Sequence, residues 1–522
     1  MEVEKVEEIN LKKQKINYET KSIEGINEFV IKGEYLIPDT HPDVDKILLI
    51  DVKPKINSTE AFTDKIFVEG EFVYSIIYVA KDEDKNNTYN VSYSDKFNLY
   101  IETFGMKKEN LYNVNVEVVN IKSSILNERK VSIDGMVKFS SLANEVLEVD
   151  AMCDLDGQDD IQLLMKDLKV CELKGNFTEE LISETIINVP LDKVAIWKIL
   201  ICDSSIYKTE CKFLDGKVIY NAYCKVKVLY KGVNLEDLCY LEQDVYLTKE
   251  VDLEDVSEGM IPVDNWDIIG FEYMIDEDES GESRIINVYI NLKCDLKIMN
   301  NSMISVIDDA YSKNSLINLV KNTYKMNSID DYTSTDIIVK DNIDVENVPA
   351  SIVYSTGRCI LTNKKIVEGK IIVEGIVKSE IMYKTNSDEN EIVSFMHEIP
   401  FTTSFESQNI KIDMDAVVKC NLENVDAFIE AKTIGIKAIV NVKIYVNSEV
   451  RRDILIDMYK TQEETLVKEC SCIIYIVGEE DTLWSIAKKY CVSIEDICRI
   501  NDLNQDDDIS GCKLLIPCKA IF

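Results

Sequence analysis

The sequence predicts a multidomain, mainly β protein: three tandem sandwich- or barrel-like repeats, then a small α+β module ordered strand, helix, helix, strand. Three observations carry this. Lys65-Ile66-Phe67-Val68-Glu69-Gly70 recurs as Lys370-Ile371-Ile372-Val373-Glu374-Gly375, with a looser copy, Lys217-Val218-Ile219-Tyr220-Asn221-Ala222, between them. The first lysines lie 152 and then 153 residues apart, and each copy meets a tyrosine thirteen residues on, at Tyr78, Tyr230 and Tyr383, which marks an internal repeat. Within the copies apolar residues alternate, as at Ile66, Val68, Gly70, Phe72, Tyr74, Ile76 and Tyr78, the period of a strand.

Taken in order, residues 1–20 mix acidic and basic side chains and read as a helical lead-in. The first repeat spans 21–150, the second 187–303 and the third 346–453. The repeated strand is long for its type, so Gly70 and Gly375 are expected to mark a bulge or bend. Each repeat ends in another alternating stretch, Lys130 to Phe139, Arg284 to Ile298 and Thr433 to Val446. Residues 151–186 and 304–345, rich in Asp, Lys, Asn and Ser, read as connectors, with short helices expected at Ile161 to Leu173 and Leu316 to Tyr324. A third connector, 454–471, leads into the terminal module at 472–519.

That module opens on a short apolar strand at Tyr475 to Val477. Asp481 or Thr482 can cap a first helix, in which Leu483, Ile486, Ala487 and Tyr490 fall on one stripe. Ser493 can start a second helix with Asp496 three residues on, and Ile494, Ile497, Cys498 and Ile500 supply its apolar face. Gly511 marks a turn into Lys513 to Ile516, a strand that Pro517 ends because it has no N–H to donate.

Composition narrows the function. With 95 acidic and 58 basic residues the net charge is -37, which repels nucleic-acid phosphates and anionic membranes and favours basic partners. Hydrophobic residues, at 46%, suffice for folded cores. The first residues lack the basic and apolar regions of a secretory signal, so no export is expected. No run approaches the ~18 apolar residues of a spanning helix. Fifteen cysteines without a C-x-x-C pair signal neither a disulfide framework nor a zinc site, and reduced thiols are expected. Six of them, Cys470, Cys472, Cys491, Cys498, Cys512 and Cys518, crowd the C-terminal region, where crosslinking is the alternative.

Catalytic patterns are sparse. His41 and His397, the two histidines, fall in different repeats, and no G-x-x-x-x-G-K-[ST] loop is present. The acidic runs Asp276 to Glu279 and Asp506 to Asp508 lack the spacing of a calcium loop and read as solvated turns. Neither a catalytic group, a metal site nor a cofactor is expected.

The residues Tyr475-Ile476-Val477, Asp481-Thr482-Leu483, Ile486-Ala487, Asn501, Gly511 and Ile516-Pro517 resemble, in order and near-family spacing, the LysM domain. That resemblance implies a shallow groove for N-acetylglucosamine polymers between the loop before the first helix and the loop after the second. Here the groove would be made by Gly478, Glu480, Asp481, Thr482, Leu483, Trp484, Asn504, Gln505 and Ile509. Trp484 has two readings, an anchor for sugar or protein, or a helix residue half-covering the small core. Asn504, Gln505 and Ile509 have two as well, groove lining or plain solvent loop. Two residues depart from the family: Glu480 replaces the usual Gly, and Cys491 stands where a Gly often ends the first helix.

Three β repeats followed by such a module resemble the SipL family of clostridial spore coat morphogenetic proteins. This resemblance implies a non-enzymatic scaffold in the mother-cell cytoplasm, at the forespore surface. It implies binding to the coat ATPase SpoIVA, for which the same LysM groove, Asp481 to Trp484 and Asn504 to Ile509, is the expected contact, together with contacts to other coat proteins and localisation of coat around the forespore. The alternative is a protein whose LysM groove binds peptidoglycan or its lipid-linked precursor. A wall hydrolase would need export and a catalytic domain, and a phage-tail structural protein is a further class with this domain style.

Overall fold

The computed structural model describes residues 7–81, 87–157, 160–233, 238–387, 391–464, 471–505 and 507–517. It is mainly β, with three repeats and a terminal strand-helix-helix-strand module. After the two-residue β1 (Glu7–Glu8), the first repeat comprises β2 (Leu11–Glu19), β3 (Ile23–Leu36), β4 (Val44–Phe62), β5 (Lys65–Ala80), β6 (Thr88–Glu102), β7 (Leu111–Asn127), β8 (Lys130–Asn144) and β9 (Val146–Leu155). Two three-stranded antiparallel sheets, β3-β8-β7 and β4-β5-β6, enclose one core, in which Phe72 and Phe97 of one sheet meet Phe139 of the other. The repeat is a sandwich; the barrel alternative is not what forms.

The second repeat comprises β10 (Ile161–Asn188), β11 (Ile196–Leu214), β12 (Lys217–Gly232), β13 (Leu238–Asp252), β14 (Ile261–Glu277) and β15 (Ser283–Ser312). The third comprises β16 (Ser315–Asp344), β17 (Pro349–Val367), β18 (Lys370–Thr385), β19 (Ile392–Glu406), β20 (Asp415–Glu430) and β21 (Thr433–Glu464). Their sheets repeat the plan of the first: β10-β15-β14 with β11-β12-β13, and β16-β21-β20 with β17-β18-β19. What are separate strands β2 and β3, and β8 and β9, in the first repeat are single strands of 28 to 32 residues in the others.

The repeated motif is the middle strand of its sheet, and its glycines have a steric cause. Gly70, Ala222 and Gly375 lie directly across from Phe97, Leu247 and Phe401. A Cβ at Gly375 would come within 2.3 Å of the Phe401 ring and 2.9 Å of the Ile360 carbonyl oxygen. Where the small residue becomes alanine, its large partner becomes leucine. The bulge expected at the glycines falls on the neighbouring strands instead, between Ile56 and Ser58 on β4 and between Leu361 and Asn363 on β17. The recurrent tyrosine also gains a role: Tyr78 donates to the Pro42 carbonyl at 3.0 Å and Tyr230 to the Val194 carbonyl at 2.9 Å, each tying down the entry to the preceding strand.

Outside the sandwiches, β2/β9 and the extensions of β10/β15 and β16/β21 form three two-stranded ribbons. Their inward residues share one cluster: Ile16, Tyr18, Val149 and Ala151 from the first ribbon, Leu168, Val170, Ile304 and Val306 from the second, Met326 and Ile454 from the third. A neighbouring cluster adds Ile9, Met152, Ile161, Ile307, Leu455 and Met458. A third draws equivalent positions of the three sandwiches together, with Ile77, Leu229 and Met382 at the same place in each. The second and third repeats also share a buried ion pair, Asp264 with Lys443 at 3.0 Å, to which Trp266 donates at 2.7 Å. Burial works against its charge, yet Lys443 and Lys419 hold the Asp264 carboxyl below the usual carboxylate range.

The helical expectations outside the module fail here. In the lead-in, Leu11–Glu19 is strand, and residues 1–6 lie outside the described residues. Ile16 and Tyr18 alternate into the central cluster, and β9 supplies the backbone partners. Ile161 to Leu173 and Leu316 to Tyr324 belong to β10 and β16. The extra residues at the nearby register shifts lie on the partner strands β15 and β21; on β10 and β16 themselves the exposed Leu164, Met165 and Leu316 add apolar positions outside the buried face, leaving a spacing that mimics a helix. Likewise, residues 454–464 of the third connector continue β21, with Ile454, Leu455 and Met458 buried.

The small-large pairing makes a direct test. Gly375→Ala is expected to destabilise the chain by about 1–3 kcal/mol through overpacking, and Phe401→Leu in the same chain to recover part of that loss. Equilibrium denaturation of both single variants and the double variant measures the coupling; strict additivity would contradict the contact.

Candidate functional site

The terminal module is built from β22 (Cys472–Ile476), α1 (Leu483–Tyr490), α2 (Ile494–Asn501) and β23 (Lys513–Pro517). The two strands pair antiparallel, Tyr475 opposite Leu514 and Ile473 opposite Ile516, and these four side chains face the helices. Thr482, not Asp481, caps α1: its hydroxyl accepts from the Ser485 N–H at 3.1 Å, and the Ser485 hydroxyl accepts from the Thr482 N–H at 3.0 Å. Ser493 caps α2 by accepting from the Asp496 N–H at 3.1 Å. Asn501 joins α2 to the outer strand, donating to the Ile497 and Leu515 carbonyls and accepting from the Leu515 N–H at 2.7 Å.

Asp481 is occupied within its own loop. Its carboxylate accepts from the Gly478 N–H and the Tyr475 hydroxyl, both at 2.8 Å, and these bonds hold it below the usual carboxylate range. Val477 exchanges backbone bonds with Gly511 and Cys512, which brings the loop before α1 and the loop before β23 to one end of the module. Of the expected groove residues, Gly478, Glu480, Thr482, Asn504 and Gln505 are exposed at that end. Leu483 and Ile509 are buried in the module's core instead. Asn504 is braced by Asp507, whose carboxylate accepts from its N–H at 2.7 Å. Asp506 lies outside the described residues, as do Cys470 and Cys518.

Trp484 points elsewhere. Its indole packs edge-on against Tyr311 of β15 with ring centroids 5.0 Å apart, and its N–H donates to Asp309 at 2.8 Å. One turn on, Lys488 reaches both oxygens of the same carboxylate at 2.6 and 2.8 Å. Burial works against the Asp309 charge, but the bonds from Lys488 and Trp484 hold its carboxyl below the usual range. The Tyr311 hydroxyl donates to the Val492 carbonyl at 2.6 Å.

The sequence reading missed a second surface. The outer face of the β22/β23 sheet carries Ile474 and Ile476, 70% and 66% exposed, with Leu515 at 41%. The signal was present: five apolar residues in a row, Cys472 to Ile476, make both faces of the strand apolar, while the helices cover one. Ile500, expected on the buried face of α2, is also exposed.

His41 contacts Thr40 in the first repeat and His397 pairs with Asp341 in the third. A cleft of about 390 Å³ between the second and third repeats is lined in part by Asp264 and Lys443, whose charges satisfy each other. Among the described residues no group of three metal-ligating side chains occurs, and no helix is long and apolar enough to cross a membrane.

The SipL SPOCS-domain model matches residues 43–126, 195–276 and 341–430, one segment in each sandwich, and the LysM-domain model matches residues 475–517. The chain carries three SipL SPOCS domains and a C-terminal LysM domain. Each SPOCS match ends before the closing strand of its repeat, β8, β15 or β21, so the ribbons lie largely outside the matched segments. SPOCS and LysM domains are in general non-catalytic binding domains, and together they fit a protein of the sporulation coat. No curated protein and no solved structure matches the chain.

The LysM departure at Cys491 has a conformational consequence. Cys491 ends α1 in the left-handed region at φ 49°, where glycine carries no Cβ penalty. Cys491→Gly is expected to stabilise the LysM domain by about 1 kcal/mol, read as slower amide exchange in α1; faster exchange would contradict the assignment.

Proposed function

We propose that this SPOCS-domain protein is a non-enzymatic scaffold of the spore coat that docks a protein partner through its LysM domain. The partner is the coat ATPase SpoIVA, and the setting is the mother-cell cytoplasm, where the chain localises coat around the forespore. The observation that carries this reading is the outer LysM sheet: Ile474, Ile476 and Leu515 form an exposed apolar strip, the kind of surface that excludes water against another protein. The neighbouring loops add Glu479, Glu480, Asp502, Asp507 and Asp508, all exposed, which favours a partner with basic residues at the rim. Trp484, the side chain best suited to stack on a sugar, is committed to Tyr311. The SPOCS repeats offer further surfaces for other coat proteins.

The second reading is binding of peptidoglycan or its lipid-linked precursor. It is favoured by the exposure of Gly478, Thr482, Asn504 and Gln505 at one end of the domain. The two readings separate in one experiment with the full chain. Ile474→Glu with Ile476→Glu is expected to reduce co-purification of SpoIVA at least tenfold, as desolvating two charges against an apolar partner requires, while peptidoglycan sacculi sediment neither protein. Undiminished co-purification, or sedimentation with sacculi, would contradict the protein-docking reading.

A further inference from the structure

Tyr311 belongs to the second SPOCS repeat, yet it is 5% exposed within the LysM core, alongside Leu483, Ile486, Ala487 and Val492. The LysM domain therefore has a core completed by a residue far upstream. Around Tyr311 the contact is polar and saturated: the single N–H of Trp484 is used, and Lys488 takes both oxygens of Asp309. Trp484 and Lys488 are one helical turn apart, so α1 presents them on one face towards one carboxylate. This face is distinct from the loop end that carries Gly478, Glu480 and Asn504, and from the outer sheet that carries Ile474 and Ile476.

We propose that the end of β15 is the docking site of the LysM domain, and that Trp484 and Lys488 are positioning residues acting on the scaffold rather than on an outside ligand. Docked in this way, the domain turns α1 inward and presents its outer sheet and acidic loops to a partner. The claim that docking serves presentation rests on the protein-docking reading above; the docking itself does not.

The full chain tests both parts. In hydrogen exchange read by mass spectrometry, Asp309→Lys is expected to raise exchange of α1 amides about tenfold or more, by opening the contact locally. Asp309→Asn, which keeps the shape, is expected to raise it less. Asp309→Lys combined with Lys488→Asp is expected to restore part of the protection, because the ion pair is rebuilt with reversed signs while the Trp484 N–H loses its acceptor. Unchanged exchange in Asp309→Lys, or no recovery in the reversed pair, would overturn the docking. In SpoIVA co-purification, Asp309→Lys and Trp484→Ala are expected to lose binding to the same extent, with the reversed pair regaining part of it. Trp484→Ala abolishing capture while Asp309→Lys leaves it intact would overturn the positioning role and make Trp484 a ligand contact. Normal exchange behaviour with no SpoIVA captured even by the unaltered chain would refute the proposed function while leaving the docking in place.

Discussion

Closure of the three ribbons is the constraint on which the rest depends. A two-stranded ribbon alone is marginal, since one of its faces has nothing to bury against. Here each ribbon turns its apolar face towards the other two, and Ile16, Tyr18, Val149, Ala151, Leu168, Val170, Ile304, Val306, Met326 and Ile454 share the interior. Residues before Glu19 thereby become part of the same core as residues after Thr433, at opposite ends of the chain. Because each ribbon continues one edge strand and the middle strand of a sandwich sheet, closing the ribbons also fixes how the SPOCS domains meet at Ile77, Leu229 and Met382. The LysM domain hangs from the far end of one ribbon strand, β15.

The sandwiches were legible in the sequence because their signals are local. Alternation in β5, β12 and β18 marks strands, and the 152- and 153-residue spacing marks the repeat. The LysM order was legible for the same reason, since caps and turn residues act within a few positions. The ribbons were not. One strand of each ribbon, β9, β15 or β21, carries an extra residue that shifts its period, and the apolar faces make sense only once the other two ribbons are present. Sequence periodicity reports burial by neighbours in the same sheet and is silent about which distant element supplies the other wall.

Trp484 illustrates the same limit inside the candidate site. Its place outside the stripe of Leu483, Ile486 and Ala487 was readable, and so was the choice between ligand anchor and half-covered helix residue. What decides its contacts is Asp309 and Tyr311, with no local sequence mark to connect them to the LysM domain. The exposed strip of Ile474 and Ile476 was hidden differently: an unbroken apolar run reads as a buried strand unless one knows that the sheet has only two strands and one covered face.

If closure of the ribbons is what makes one body of three domains, the SPOCS repeats unfold together. Differential scanning calorimetry of the full chain and of Ile16→Ala tests this most directly. A cavity at that fully buried position costs about 2–5 kcal/mol. The account predicts that the main transition, shared by all three repeats, shifts downward as a unit. Three separable transitions, of which only the one containing the first repeat moves, would contradict it.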